Sequence, residues 1–104
     1  MKRGPEAKVK DAIKAYLASI GAYQFWPVQT GLGAATVDCL ACVPITITPD
    51  MVGKKIGAFV AIETKRPDTR PEPTPRQKFV LRQVTDAYGR ISIAFEVEDV
   101  KSVL

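Results

Sequence analysis

Three charged side chains interrupt the most apolar stretches of this sequence. Glu63 and Lys65 follow the continuous apolar run 59–62, and Asp38 lies in an earlier segment with the composition of a strand. Because successive side chains of a strand point to opposite faces, Glu63 and Lys65 share one face and Thr64 faces away. An unpaired buried carboxylate is costly, so two carboxylates and a lysine on adjacent strands would be stabilised by a divalent cation. Mg²⁺ fits such a site because it takes oxygen ligands and is commonly shared with a substrate phosphate.

The chemistry of such a group is phosphodiester hydrolysis, in which the lysine orients the attacking water or neutralises a phosphate oxygen. The alternative is structural. The spacing E-x-K is common, so Glu63 and Lys65 would form a strand-end ion pair at a solvent edge, with Asp38 an ordinary residue near a turn. The spacing alone leaves both interpretations open.

Histidine is absent from all 104 residues, which excludes Ser-His-Asp and Cys-His nucleophilic machinery and histidine general bases. Cys39 and Cys42 form a C-x-x-C pair, but a zinc site would need two further Cys or His ligands. A redox pair needs a helix N-terminus to lower the first thiol's pKa, whereas residues 37–43 resemble a strand that runs into Pro44. We therefore predict that both thiols are buried and inert.

Length and composition indicate one globular domain over residues 1–104, since 46% of the residues are hydrophobic and 25% are charged. Fifteen Lys and Arg against eleven Asp and Glu give a net charge of +4, which favours a polyanionic partner. No apolar run approaches the roughly 20 residues that span a bilayer, and no apolar segment of a signal peptide follows residues 1–6. We expect no membrane association and a reduced, cytoplasmic setting.

Hydrophobic periodicity predicts the elements that position these side chains. Glu6 continues the apolar stripe of the first helix by one turn, Gly31-Leu32-Gly33 predicts a turn, and residues 74–77 fit a capping box with proline at the first helical position. The order α-β-β-β-α-β-α predicts an α/β sandwich, a small mixed sheet flanked by helices. In chain order, the predicted elements are a helix at 5–20, strands at 22–29, 35–43 and 56–65, a helix from 74 until Gly89 ends it, a strand at 91–95 and a helix at 97–103. The predicted inner faces are Val9, Ile13, Tyr16, Leu17 and Ile20 of the first helix and Val80, Leu81, Val84, Ala87 and Tyr88 of the second.

Basic residues concentrate around the proline-rich loop 66–75. Between residues 54 and 82, eight Lys or Arg stand against three acidic residues, which favours a surface that follows a phosphate backbone. The alternative is an ordinary solvated loop and helix face. Phe25 and Trp26 would stack on bases, or else belong to the core or to a contact between copies of the chain. The candidate DNA-binding residues are Lys54, Lys55, Arg66, Arg70, Arg76 and Lys78.

Asp38, followed after a hairpin-sized gap by Ile62-Glu63-Thr64-Lys65, resembles the metal-binding core of the PD-(D/E)XK nuclease superfamily. Over nearly the whole chain, further features resemble one family within it, the virus-type replication-repair nucleases (VRR-NUC). Val37 stands where that family often has proline, which is not a ligand, and the segments 43–56 and 66–75 are longer than the family minimum. The further features are Glu6 on the first helix, Gly31, Gln77 after a Thr-Pro helix start, Ala87-Tyr88-Gly89 before a strand, and Val97-Glu98-Asp99-Val100.

The resemblance implies a restriction-endonuclease-like α/β sandwich and a metal-dependent DNA endonuclease that uses Mg²⁺ or Mn²⁺ and no organic cofactor. Asp38, Glu63 and the Thr64 carbonyl would hold the metal, with Glu6 facing it directly or through water. Lys65 would be the catalytic lysine, and Gln77 would point toward the site. The alternative role of Glu6 is a first-turn carboxylate favoured by the helix dipole. For Gln77 the alternative is the capping box alone.

Stand-alone members of this family imply a homodimer that acts on branched DNA such as four-way junctions, inside a bacterial or phage-infected cell. One alternative is a catalytically inactive nucleic-acid-binding module of the same fold. Another is a small interaction protein whose proline-rich loop is bound in a partner's groove. The second alternative gives no reason for two carboxylates and a lysine that interrupt apolar strands.

Overall fold

The computed structural model describes residues 4–28, 31, 33 and 35–104, and these form three helices, four strands and one 3-10 turn. The observed order of helices and strands is the predicted α-β-β-β-α-β-α. In the turn predicted at Gly31-Leu32-Gly33, both glycines have positive φ, and Leu32 lies outside the described residues, as do positions 1–3, 29, 30 and 34. The elements are α1 (Pro5–Ser19), β1 (Tyr23–Phe25), β2 (Leu40–Cys42), the 3-10 turn (Pro49–Met51), β3 (Val60–Thr64), α2 (Pro75–Asp86), β4 (Arg90–Ala94) and α3 (Val97–Lys101).

The described strands form two separate two-stranded sheets, so the expectation of one mixed sheet is not met. β1 and β2 pair antiparallel, whereas β3 and β4 pair parallel. The contacts of the chain divide it into two compact units, Met1–Pro44 and Ile45–Leu104, and each sheet lies within one of them. Pro44 follows β2 almost at once and Pro49 opens the 3-10 turn; because proline has no N–H to donate, these positions limit the length of regular strand.

The first unit consists of α1 and the β1–β2 pair. Pro5 begins α1 at the first helical position, and Gly21 follows its end with a φ of 75°. The predicted inner stripe is covered only in part, since Val9, Ile13 and Tyr16 are exposed whereas Leu17 and Ile20 are half-buried. Within this unit, a three-residue strand is too short to cover a helix of 15 residues.

The second unit is built as β3–α2–β4 followed by α3. A parallel pair of strands needs a crossover, and α2 supplies it between β3 and β4. The ladder continues one residue beyond each end of β3, because Arg90 N–H donates to the Phe59 carbonyl at 2.9 Å and Lys65 N–H donates to the Ala94 carbonyl at 3.0 Å. The backbone of Lys65 is therefore fixed by the sheet, although the residue lies just outside the regular strand.

The core of the second unit lies where α2 and α3 meet the sheet. Leu81 and Val84 of α2 and Ala87, the residue that follows it, are buried, as predicted, and Val84 is completely inaccessible. From β4, Ala94 and Ser92 are buried. The Ser92 hydroxyl donates to the Asp99 carbonyl at 3.1 Å, so the one buried polar side chain among the described residues is satisfied by α3.

Tyr88 departs from its predicted place on the inner face of α2. It lies beyond the end of the helix with a φ of 68° and is 85% exposed. Tyr88 N–H donates to the Thr85 carbonyl and Gly89 N–H donates to the Val84 carbonyl, both at 2.9 Å. This is the Schellman arrangement, in which glycine usually occupies the left-handed position that Tyr88 takes here.

Replacing Tyr88 by glycine is therefore expected to stabilise the protein by about 1 kcal/mol, because glycine adopts positive φ without the steric penalty of a Cβ. Urea unfolding of Tyr88→Gly and Tyr88→Ala measures this, since alanine also removes the exposed ring but keeps the Cβ. A glycine variant no more stable than the alanine variant would contradict the assigned helix end.

Candidate active site

Glu63, Lys65 and Gln77 form a hydrogen-bonded group in the second unit. The Gln77 side chain donates from Nε2 to Glu63 Oε1 at 2.8 Å and accepts at Oε1 from Lys65 Nζ at 2.9 Å. Lys65 Nζ lies 3.6 Å from Glu63 Oε1, so the carboxylate and the ammonium also form an ion pair. The strand periodicity that predicted Glu63 and Lys65 on one face thus agrees with the structure.

The local structure of α2 fixes Gln77 in this group. The Thr74 side chain accepts from Gln77 N–H at 3.2 Å, and the Gln77 side-chain oxygen accepts from Thr74 N–H at 2.9 Å, which completes the predicted capping box. Gln77 therefore serves the helix terminus and the Glu63–Lys65 pair with the same amide. The two roles that the sequence presented as alternatives occur together.

The group is sheltered but reachable. The side chain of Lys65 is 14% exposed and that of Glu63 is 29% exposed. An ammonium that is mostly withdrawn from water needs hydrogen-bond acceptors, and Lys65 has two oxygens close by, one charged and one neutral. Glu63 keeps enough exposure for its carboxylate to meet a ligand from solvent.

The backbone N–H and C=O of Thr64 face the edge of β3 opposite β4. The backbone of β3 hydrogen-bonds to β4 through residues 59, 61, 63 and 65, as the bonds of Phe59 and Lys65 and the strand register show. In a parallel ladder the intervening residues direct their N–H and C=O groups to the other side. The Thr64 carbonyl therefore lies one peptide from Glu63 and points away from β4, as a metal-ligating carbonyl would require.

Asp38 and Glu6 belong to the first unit and have surroundings that differ from those expected. Asp38 is exposed in a bend, and the regular strand begins only at Leu40. Glu6 was predicted on an inward stripe, but its side chain is 80% exposed and pairs with Lys10 Nζ at 3.8 Å. The first-turn position next to the positive end of the helix dipole accounts for a carboxylate there. Within the described part of the chain, no three Cys, Asp or Glu side chains are grouped to hold a metal ion.

The two thiols lie in different surroundings. Cys42 is buried, and this burial raises the pKa of its thiol, which disfavours the reactive thiolate. Cys39 is half-buried. The predicted burial is thus confirmed for Cys42 and not for Cys39, and the inertness of both thiols stays a prediction.

All six predicted DNA-binding residues are exposed and belong to the second unit. Three of them have partners within it. Arg66 pairs with Asp68 at 2.6 Å, Lys78 pairs with Glu72 at 3.3 Å, and the Arg70 guanidinium lies 4.0 Å from the ring centre of Phe95. The remaining three are Lys54, Lys55 and Arg76.

A groove of about 320 Å³ opens beside Glu63 and Gln77. Its apolar lining combines two residues of β3 with two of α2, and Arg76 adds a positive charge. Sequence periodicity assigned Val80 to the core, but it is 36% exposed and lines this groove. A signal was present, since Arg76 and Val80 are four residues apart and so lie on the same side of the helix. The apolar lining residues are Ala61, Ile62, Val80 and Leu81.

The two aromatic residues Phe25 and Trp26 of the first unit differ in their surroundings. Trp26 is half-buried, donates from Nε1 to Gln24 Oε1 at 2.9 Å, and lies with its ring centre 5.0 Å from Lys14 Nζ. Phe25 is exposed. Trp26 is therefore held by its own unit, whereas Phe25 presents an apolar surface to solvent.

Among the described residues, no helix combines the length and the apolar character needed to cross a lipid bilayer. Comparison of the chain with models of protein families, with curated proteins and with solved structures finds no match.

Proposed function

We propose that this protein is a metal-dependent DNA endonuclease with a restriction-endonuclease-like fold. The observation that carries the proposal is the Glu63–Gln77–Lys65 group, in which one amide holds a carboxylate and an ammonium together at the end of a strand. An ordinary solvent-edge ion pair joins two exposed side chains and contributes little to stability. The side chain of Lys65 is instead mostly buried, which argues against that interpretation. The resemblance of the sequence to VRR-NUC nucleases supports the same activity.

The donor atoms near Glu63 suit a hard divalent cation. The Glu63 carboxylate and the Thr64 carbonyl would offer oxygen ligands from neighbouring residues, the donor type that Mg²⁺ and Mn²⁺ prefer. When bound, such a cation would polarise the phosphate and lower the pKa of a bound water. The resemblance adds Asp38 and Glu6 as further ligands, and these assignments remain predictions.

The side chains of the group have separate tasks in this proposal. Lys65 presents its ammonium to a phosphate oxygen or to the attacking water, and thereby stabilises charge that develops during hydrolysis. Glu63 supplies a carboxylate oxygen to the cation. Gln77 contacts both and fixes their separation, so it positions the reacting groups.

The proposed substrate is branched DNA, cut by a homodimer in the cytoplasm. Two symmetric incisions need two sites, and a two-fold dimer supplies them with one kind of interface. A four-way junction and a linear duplex of equal length, incubated with Mg²⁺, Mn²⁺ or EDTA, test the activity and the substrate together. We expect the junction to be cleaved faster than the linear duplex in Mg²⁺ or Mn²⁺, and neither substrate to be cleaved in EDTA. We also expect the protein to sediment as a dimer. Equal rates on both substrates from a monomer would contradict the branched-DNA and dimer proposals.

A catalytically inactive nucleic-acid-binding module is the second candidate. Two observations favour it. The Glu63–Gln77–Lys65 group contains one carboxylate, and among the described residues no three acidic or thiol side chains are grouped to hold a metal ion. The two functions differ in one result: the module would bind junction DNA but leave it intact in both Mg²⁺ and Mn²⁺.

DNA affinity is expected to depend steeply on salt, with Arg76 as one contributor, because it is exposed on the first turn of α2 beside the site. Replacing Arg76 by alanine should reduce the slope of log affinity against log salt by about one unit. Fluorescence anisotropy at several salt concentrations measures the slope. Lys101→Ala, which removes one positive charge from α3, is the control and should leave the slope unchanged. If Arg76→Ala and the unmodified protein showed the same slope of log affinity against log salt, the DNA would bind to a surface that does not include Arg76.

A further inference from the structure

The groove beside Glu63 has a character that phosphate binding alone does not explain. Four apolar residues line it, and of these Leu81 is buried whereas Val80 and Ile62 are exposed. Contacts to the DNA backbone come from charged and polar groups, so an apolar groove next to the reacting phosphate implies a different part of the substrate.

We propose that this groove binds one unpaired nucleobase of the DNA, adjacent to the phosphate that meets Glu63 and Lys65. This inference rests on the proposed nuclease function and names the feature that the site selects. The substrate class is DNA with an extruded or unpaired nucleotide, as at a bulge, a flap or the centre of a junction.

The dimensions and lining of the groove support one base. Its volume of about 320 Å³ is near the lower end for small-molecule sites, roughly 300–1,000 Å³, which leaves room for a single planar ring system. Enzymes that hold a base outside the helical stack place it between apolar or aromatic side chains. Val80 and Ile62 supply such surfaces here.

The charges around the groove fit the rest of a nucleotide. Arg76 lines the groove and offers a guanidinium to a phosphate, while the Gln77 amide and the Glu63 carboxylate supply polar atoms next to the apolar lining. One nucleotide can therefore contact the apolar lining with its base and Arg76 with its phosphate. A paired base, in contrast, is held within the duplex and cannot enter.

The test is a binding measurement in EDTA, which keeps cleavage from consuming the substrate. Three duplexes are compared: one fully paired, one with a single-nucleotide adenine bulge, and one with an abasic residue at the bulge. Burial of apolar surface contributes about 25 cal/mol per Å², so covering roughly 40 Å² of a seated base would strengthen binding about fivefold. We therefore expect the adenine bulge to bind at least about fivefold more tightly than the abasic bulge. Equal affinities for these two would overturn the inference, and this comparison needs no protein variant.

A matched pair of variants locates the effect. Val80→Asp places a charge in the groove, whereas Phe79→Asp places the same charge on the neighbouring residue, which is 63% exposed and does not line the groove. We expect Val80→Asp to lose the preference for adenine over the abasic residue and Phe79→Asp to keep it. Loss of the preference in both variants, or in neither, would contradict the groove as its source.

Failure of this inference can be distinguished from failure of the nuclease proposal. If the protein cuts junction DNA in Mg²⁺ but binds the adenine and abasic bulges equally, the groove assignment alone is wrong. If it prefers the adenine bulge but leaves all DNA intact with either metal, the catalytic assignment alone is wrong.

Discussion

Replacing Glu63 by glutamine is expected to lower the rate of metal-dependent DNA cleavage by about 10²–10³-fold, with DNA affinity nearly unchanged. The substitution keeps the size of the side chain and its carbonyl acceptor for Gln77 but removes the negative charge that would hold a cation. Lys65→Ala is expected to cause a loss of the same order, because removing one charge-stabilising donor from an active site typically has that effect. Initial rates on supercoiled DNA, with affinities measured in EDTA, separate catalysis from binding.

Two control variants make the same chemical changes away from the site. Glu98 and Lys101 form an exposed ion pair on α3, so Glu98→Gln and Lys101→Ala should cleave at the rate of the unmodified protein. Cleavage at an undiminished rate by Glu63→Gln or Lys65→Ala would show that the reacting groups lie elsewhere.

Replacing Gln77 by methionine is expected to reduce cleavage by about 10–100-fold, because groups that orient the ligands of a metal site usually contribute that much. Methionine has a similar length but neither donates to Glu63 nor accepts from Lys65. Cleavage rates measured at several Mg²⁺ concentrations will show whether the loss reflects weaker metal affinity or a slower chemical step.

Thr74→Ala separates the two tasks of Gln77. Thr74 caps α2 but makes no described contact with Glu63 or Lys65, so its loss should cost about 1 kcal/mol of stability while cleavage at low temperature persists. Thr74→Ala should therefore mainly lower the urea midpoint of unfolding, whereas Gln77→Met should mainly lower the cleavage rate. If Gln77→Met lost stability but cleaved DNA at the normal rate, Gln77 would serve only as part of the helix cap and not in catalysis.

Local signals in the sequence predicted most of the second unit. The capping box at Thr74 and Gln77 needs only neighbouring residues, and the strand alternation that puts Glu63 beside Lys65 is a property of the backbone. The helical stripe of α2 likewise predicted the burial of Leu81 and Val84. These features are determined within a few residues of chain, where sequence patterns are most informative.

Features that depend on distant neighbours could not be predicted in this way. The stripe of α1 is apolar at helical spacing, yet Val9 and Ile13 are exposed, because periodicity specifies a face and not what covers it. Tyr88 follows the same spacing as the inner residues of α2, but the helix ends before reaching it. The bond from Gln77 to Glu63 joins residues 14 positions apart, and the path of the loop between β3 and α2 brings them together.

The most direct test of the central claim is cleavage of supercoiled DNA by the unmodified protein and by Glu63→Gln, purified in parallel and assayed with Mg²⁺ and with EDTA. The account predicts conversion to nicked or linear DNA only by the unmodified protein and only with metal. Cleavage that persists in EDTA, or that Glu63→Gln performs equally well, would contradict it.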